Sequence, residues 1–74
     1  MKELNITMTD TKRFTYVLGN MTYIIELLEG QYILSTWKYG KPESQDIKSY
    51  PELIALFTSQ GLIFKLKGCL GLLA

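Results

Sequence analysis

The sequence predicts an α+β fold, in which a small antiparallel β-meander of three to five strands carries one α-helix, over about residues 50–60, on one face. Two observations predict it. Apolar and polar residues alternate along much of residues 2–39, as they do in half-buried strands. After Ser49 the apolar residues recur every three or four positions, as they do in a helix. We expect residues 1–74 to form one domain.

The first half of the chain contains four segments with the two-residue period of a strand. In the first segment, Leu4, Ile6 and Met8 lie on one face and polar residues on the other. Gly19-Asn20 and Glu29-Gly30-Gln31 separate later segments and are typical of hairpin turns. The predicted strands are residues 2–8, 13–18, 21–28 and 32–39.

The start of the helix is predicted from Ser49-Tyr50-Pro51-Glu52. The Ser49 hydroxyl accepts the amide of Glu52 and the Glu52 carboxylate accepts the amide of Ser49, which makes a capping box. Pro51 lies in the first turn, where its missing amide costs little. Gly61 is expected to end the helix in the left-handed conformation. The side chains expected to pack on the sheet are Tyr50, Leu53, Ile54 and Phe57.

Two segments lack a clear period. Residues 40–48 are polar and contain Pro42, which predicts a flexible loop. Residues 62–67 alternate at their end, which predicts a last strand. The tail that follows, residues 68–74, is apolar, and we expect it to lie against the sheet or against a neighbouring molecule.

Composition excludes several classes of protein. Eight Lys and Arg against seven Asp and Glu leave a net charge of +1, which is neither the basic excess of a typical nucleic-acid binder nor the acidity of a DNA mimic. Cys69 is the single cysteine and there is no histidine, which favours a reducing cytoplasm. The polar N-terminus is no signal peptide, and no apolar run approaches the length of a membrane span. We therefore expect a cytoplasmic protein with no membrane partner.

The sequence also offers few groups for catalysis. No histidine is present to act as a base, and Cys69 without such a partner is interpreted as a small buried hydrophobe. Glu26 and Glu29 point to opposite faces of a regular strand, and Glu52 is the capping partner. No glycine-rich phosphate loop or metal-ligand spacing is present. We predict that the protein is not an enzyme and has no catalytic residue, metal site or cofactor.

The candidate contact residues mix aromatic and basic side chains around one strand end. Such a cluster is typical of single-stranded nucleic-acid binding, and Lys12 and Arg13 would extend it if their turn lay at the same end. A second interpretation places Trp37 on the core face beneath the helix, together with Ile33 and Tyr39, and leaves the lysines on a solvated loop. The cluster comprises Trp37, Lys38, Tyr39, Lys41 and Lys48.

Apolar and tyrosine content favour a binding surface. The chain is 47% hydrophobic, and a domain this short hides only roughly 60% of the surface that its unfolded chain exposes. Exposed apolar patches usually mark a partner site. The five tyrosines are typical of interfaces, although strands also favour them. If the tail is free, Leu70, Leu72 and Leu73 are further contact residues.

The stretch from Tyr32-Ile33-Leu34 through Trp37-Lys38 to Ser49-Tyr50-Pro51-Glu52-Leu53 resembles short, mostly uncharacterised proteins of phages and prophages of Gram-positive bacteria. The shared pattern covers about residues 13–62 and consists of an aromatic-Lys strand end, a loop and a Tyr-Pro helix start. In that group the helix often ends in basic residues, whereas Thr58-Ser59-Gln60-Gly61 is neutral. Phage proteins of this size include anti-CRISPRs and other inhibitors of host defence, so the resemblance implies that class and the host cytoplasm.

These features together predict a small, non-enzymatic, phage-encoded interaction protein that binds and inhibits or modulates a host protein, for example a defence component such as a CRISPR effector. One alternative is a nucleic-acid-binding accessory protein that uses the aromatic-basic cluster. Another is a homo-oligomeric module, such as a homodimer formed by pairing of β-edges.

Overall fold

A computed structural model describes residues 4–10 and 12–73 of the chain. Within these residues, one five-stranded antiparallel sheet is followed by two helices, and the strands lie in sequence order across the sheet. The α+β class and the meander are confirmed, and the predicted single helix is corrected to two. The elements are β1 (Leu4–Asp10), β2 (Arg13–Leu18), β3 (Met21–Leu28), β4 (Gln31–Lys38), β5 (Lys41–Lys48), α1 (Tyr50–Ser59) and α2 (Ile63–Leu73).

The strand register places the core on one side of the sheet. Phe14, Ile25 and Leu34 are cross-strand partners on β2, β3 and β4, so their side chains share a face. Both helices bury leucine or phenylalanine side chains against that face, which we call the covered face. The buried core consists of Phe14, Tyr16, Ile25, Leu34, Leu53, Phe57, Leu66, Leu70 and Leu73.

Tyr16 lies at the centre of the core and is fully buried. Its ring stacks on Tyr23 at 4.7 Å between centroids and meets Phe57 edge-on at 6.1 Å. Its hydroxyl donates a hydrogen bond of 2.9 Å to Oε1 of Gln60. Because Gln60 is the C-cap of α1, this bond ties the end of the helix to β2. Burial raises the pKa of Tyr16 well above its usual range.

The predicted capping box at the start of α1 is confirmed. The Ser49 amide donates to Oε1 of Glu52 at 3.0 Å, and the Glu52 amide donates to Oγ of Ser49 at 3.3 Å. The hydrogen bond from the Ser49 backbone lowers the pKa of the Glu52 carboxyl. Of the α1 side chains predicted to pack on the sheet, Leu53 is fully buried as expected, whereas Tyr50 is 42% exposed and is not part of the core.

Residues 41–48, predicted to be a loop, form the edge strand β5. Tyr39 and Gly40 both have positive φ, +53° and +75°, as in a type I′ turn, and fold β5 back onto β4. Pro42 is tolerated because an edge strand does not need every amide. Glu43 is the extra residue of a bulge, since the register shifts between Thr36 and Trp37. The loop prediction was wrong because a mostly exposed edge strand carries no apolar alternation.

Residues 63–73 form α2, so the predicted last strand over residues 62–67 is wrong. The expectation that the tail packs against the rest of the domain is confirmed by Leu70 and Leu73, which lie in the core. Leu66, Leu70 and Leu73 recur at helical spacing and are buried in the core. Gly68 and Gly71 weaken the local helix signal, and tertiary packing of the leucine stripe overrides that preference.

The turn between α1 and α2 explains how the second helix reaches the core. Gly61 has the predicted left-handed conformation, with φ +72°. Its amide bonds the carbonyl of Thr58 at 3.0 Å, and the amide of Leu62 bonds the carbonyl of Phe57 at 2.9 Å. This pair of bonds is a Schellman motif, which ends α1 and satisfies its last carbonyls.

Candidate interaction surface

The side of the sheet opposite the helices, which we call the outer face, also carries apolar residues. Ile47 on this face is 63% exposed, and the others are half-buried between neighbouring strands. None of them belongs to the core or to the partly buried hydrophobics packed against it. An apolar strip therefore crosses four strands without a covering layer in the described part of the chain. The strip consists of Val17, Ile24, Ile33, Trp37 and Ile47.

Small residues, most of them with hydroxyl groups, lie beside members of the apolar strip, and Ile33 and Ile47 are direct cross-strand partners. Ile24 lies between Thr15 on β2 and Ser35 on β4, and Trp37 lies between Thr22 on β3 and Pro42 on β5. This mixture of apolar and hydroxyl side chains is typical of non-obligate protein interfaces, which are about as apolar as the rest of a protein surface.

Tyr39, at the turn between β4 and β5, has an unusual backbone conformation. Its φ of +53° is left-handed, which costs roughly 1–2 kcal/mol for a residue other than glycine. The ring is 70% exposed. Asn20 binds it twice, through a side-chain amide that donates to the Tyr39 hydroxyl at 3.0 Å and a carbonyl that accepts the Tyr39 amide at 3.2 Å. A bulky residue held in a strained conformation is often part of a functional site.

Two lysines flank this turn. Lys38 and Lys41 are cross-strand partners, and like charges in directly opposite positions repel. The Lys38 ammonium also lies 5.9 Å from the centre of the Tyr39 ring. Among the side chains that the structure describes, no carboxylate forms an ion pair with either lysine. Trp37, Lys38, Tyr39 and Lys41 thus form a small positive and aromatic group, which we call the Trp37–Lys41 end.

Lys48 does not join the other predicted contact residues. It pairs with Tyr32 at the opposite end of β5, and its Nζ lies 4.0 Å from Oε2 of Glu52. Arg13 lies in register with Glu26, also at the far end of the sheet from Trp37. The turn with Lys12 and Arg13 therefore cannot extend the aromatic-basic cluster.

The interpretation that placed Trp37 beneath the helix is also wrong. Trp37 and Ile33 alternate with core-facing Leu34, so they lie on the outer face. Tyr39 lies in the turn and shares neither face.

The three leucines of the tail have different positions in α2. Leu70 and Leu73 are 0% and 4% exposed, so they belong to the core and are not available to a partner. Leu72 is 70% exposed and lies on the solvent side of the helix, as does Phe64. The prediction that these leucines form a free contact tail is therefore wrong for Leu70 and Leu73.

Sequence reasoning missed several residues of the candidate surface. Val17 and Ile24 alternate with core residues, so the period indicated their face but not that this face is uncovered. Ile47 was hidden within the predicted loop. Asn20 was recognised only as a turn residue, because nothing local indicates that its side chain reaches Tyr39.

The described residues contain no group of three or more His, Cys, Asp or Glu side chains that could hold a metal ion. Burial raises the pKa of the half-buried Cys69 thiol, which leaves it protonated and weakly nucleophilic near neutral pH. A shallow depression beside Trp37 is lined by Ser35, Pro42, Glu43, Ser44 and Gln45.

Comparison with protein-family models, curated proteins and solved structures finds no match for the chain. The resemblance to phage proteins therefore stays a prediction. Within the described residues, neither helix is long and apolar enough to cross a membrane.

Proposed function

We propose that this protein is a non-enzymatic interaction module that binds another protein through the outer face and the Trp37–Lys41 end. The observation that carries the proposal is the uncovered apolar strip. When one face of an antiparallel sheet packs on a core and the other faces water, the face toward water usually has polar side chains. Here Ile24, Ile33 and Trp37 occupy that side, although both helices pack on the other.

The chemistry of this surface defines the kind of partner. Trp37 is the largest side chain of the apolar strip, and tryptophan is among the residues that most often contribute strongly to binding. Lys38 and Lys41 add positive charge at one end of the strip, which favours carboxylates on the partner. The best match is an apolar protein surface bordered at one end by acidic side chains.

The resemblance to phage proteins supports a narrower version of this proposal. The partner would then be a protein of the bacterial host, for example a component of its defence system, and binding would inhibit it in the host cytoplasm. A rigid domain without catalytic groups acts on such a target by covering a surface that the target needs.

Nucleic-acid binding is a weaker candidate. Lys38 and Lys41 are the two lysines next to Trp37 and Tyr39, whereas Lys48 lies at the far end of β5. Two phosphate contacts predict a slope of only about −1.4 for the logarithm of affinity against the logarithm of salt concentration on a single strand.

The test is affinity purification from a bacterial lysate with matched variants. Trp37→Ala/Lys41→Glu changes an aromatic and a basic residue of the proposed surface. Phe64→Ala/Lys65→Glu makes the same chemical changes on the exposed side of α2, where Phe64 is 91% exposed. We expect the wild type to recover a stoichiometric partner protein. The recovered amount should fall by at least about tenfold with the first variant and stay unchanged with the second.

Two results would contradict the proposal. One is a partner that Trp37→Ala/Lys41→Glu retains and Phe64→Ala/Lys65→Glu loses. The other is recovery of nucleic acid in place of a protein, with binding of a labelled oligonucleotide whose affinity falls by about sevenfold or more between about 50 and 200 mM salt.

A further inference from the structure

The two edges of the sheet differ in how they resist pairing with another strand. Natural sheets block exposed edges with charges, proline and bulges. β5 has all three devices. β1 has no proline and a single ionisable residue, Asp10, and its register shift between Met8 and Asp10 lies beyond residues 4–8. The blocking residues of β5 are Lys41, Pro42, Glu43, Asp46 and Lys48.

β1 has the properties of an edge that accepts another strand. Among the described residues it pairs only with β2, so its other side presents backbone amides and carbonyls to solvent. On the covered face, Leu4 and Ile6 pack against the core but remain partly exposed, and Met8 is 39% exposed. The apolar core therefore continues to the open edge of the sheet.

We propose that β1 pairs antiparallel with β1 of a second copy of this chain, with Ile6 opposite Ile6. In this register Leu4 lies opposite Met8 of the second copy on the covered face. Asn5 lies opposite Thr7 of the second copy on the outer face. The strand is complementary to itself, because all opposed pairs between residues 4 and 8 are apolar with apolar or polar with polar and none places like charges together.

This arrangement has a defined symmetry. An antiparallel pair of identical strands is related by a two-fold axis perpendicular to the sheet, so the helices of both copies lie on the same side. The two sheets join into one of ten strands, and the two outer faces become continuous. The dimer therefore presents two Trp37–Lys41 ends on one assembly, although its formation does not depend on the function proposed above.

The test is sedimentation velocity over a concentration series of the full chain. A small, edge-only interface predicts a dissociation constant between about 10 µM and 1 mM. Asn5→Lys/Thr7→Lys places two lysine pairs opposite each other in the proposed register and should weaken the dimer by at least about tenfold. Ser44→Lys/Gln45→Lys is the matched control, because it adds the same charge to exposed residues of β5. We expect this control to dimerise like the wild type.

A charge-complementation experiment keeps the test independent of folding defects. Asn5→Glu/Thr7→Glu should also be monomeric alone, and an equimolar mixture with the lysine variant should form a heterodimer at least as stable as the wild-type dimer. The proposal is overturned by a wild type that stays monomeric up to about 1 mM, by a dimer that the β1 variants retain, or by a mixture that fails to associate.

Discussion

The covered and outer faces of the sheet differ most clearly at two adjacent isoleucines of β3. Ile25 is fully buried in the core, whereas Ile24 lies half-buried on the outer face. The two side chains are chemically identical and differ only in the face to which the two-residue period assigns them. Among the described residues, the core therefore includes only one of the two apolar faces of β3.

The core and the Trp37–Lys41 end also differ in the local features that oppose folding. In the core, the hydroxyl of Tyr16 bonds Gln60, and no buried side-chain nitrogen or oxygen of the described residues lacks a partner. The Trp37–Lys41 end instead keeps a strained Tyr39 and two opposed lysines. Local features that oppose folding are expected at functional sites.

The largest effect should come from truncating the two isoleucines separately. Ile25→Ala removes buried atoms and leaves a cavity, so we expect a loss of about 2–5 kcal/mol in the free energy of unfolding. Ile24→Ala should cost about 1 kcal/mol or less, because that side chain has no covering layer. Chemical denaturation followed by circular dichroism measures both.

A domain of this size has a total stability of only about 4–11 kcal/mol, so Ile25→Ala is able to unfold it. Ile25→Val and Ile24→Val then provide the comparison. We expect Ile25→Val to lower the free energy of unfolding by about 0.5–1.5 kcal/mol and Ile24→Val to leave it nearly unchanged. Equal losses at the two positions would mean that the outer face is covered in solution.

Tyr16→Phe tests the hydrogen bond between the Tyr16 hydroxyl and Gln60, which joins β2 to the end of α1. Loss of the hydrogen bond to Gln60 should cost about 1 kcal/mol at pH 7. Because burial raises the pKa of Tyr16 in the folded state, the neutral form stabilises folding below about pH 10, and this contribution declines as the pH rises further. The difference between wild type and variant should therefore shrink at pH 11. A difference that grows with pH would contradict the assigned burial.

The smallest effect concerns the solvent side of the helical layer. Gly68→Ala should stabilise the protein by about 0.5–1 kcal/mol, because an added Cβ meets no atom within 4 Å and alanine favours the helix. Gly40→Ala is the control with the opposite sign, since Gly40 has a φ of +75°. Thermal unfolding measures both. A destabilising Gly68→Ala would contradict the open position of Gly68 on the solvent side of α2.

Features determined by neighbouring residues were predicted correctly. The capping box at Ser49 and Glu52, the hairpin turn at Gly19-Asn20 and the helix stop at Gly61 each depend on a few consecutive residues and their backbone preferences. The alternation in β2 and β3 likewise separated the two faces, because a strand alternates regardless of what packs on it.

The errors concern segments whose conformation depends on distant parts of the chain. β5 is a strand because β4 offers it a partner, and its own polar sequence resembles a loop. α2 contains two glycines and becomes a helix because Leu66, Leu70 and Leu73 complete the core. The candidate surface was predicted only in part for the same reason. Trp37 to Lys41 are neighbours in sequence, so their grouping could be predicted. The positions of Lys48 and of the tail leucines depend on the tertiary structure, which places Lys48 at the far end of β5 and two of the leucines in the core.

The sequence by itself determined the meander, the start and end of α1 and the grouping of apolar residues into two faces, since these follow from backbone propensity and periodicity over short distances. Only the tertiary structure decided that the tail is a second helix in the core and that the outer face of the sheet has no covering layer. The physical reason is that periodicity places residues on a common face, while burial depends on which distant element packs there.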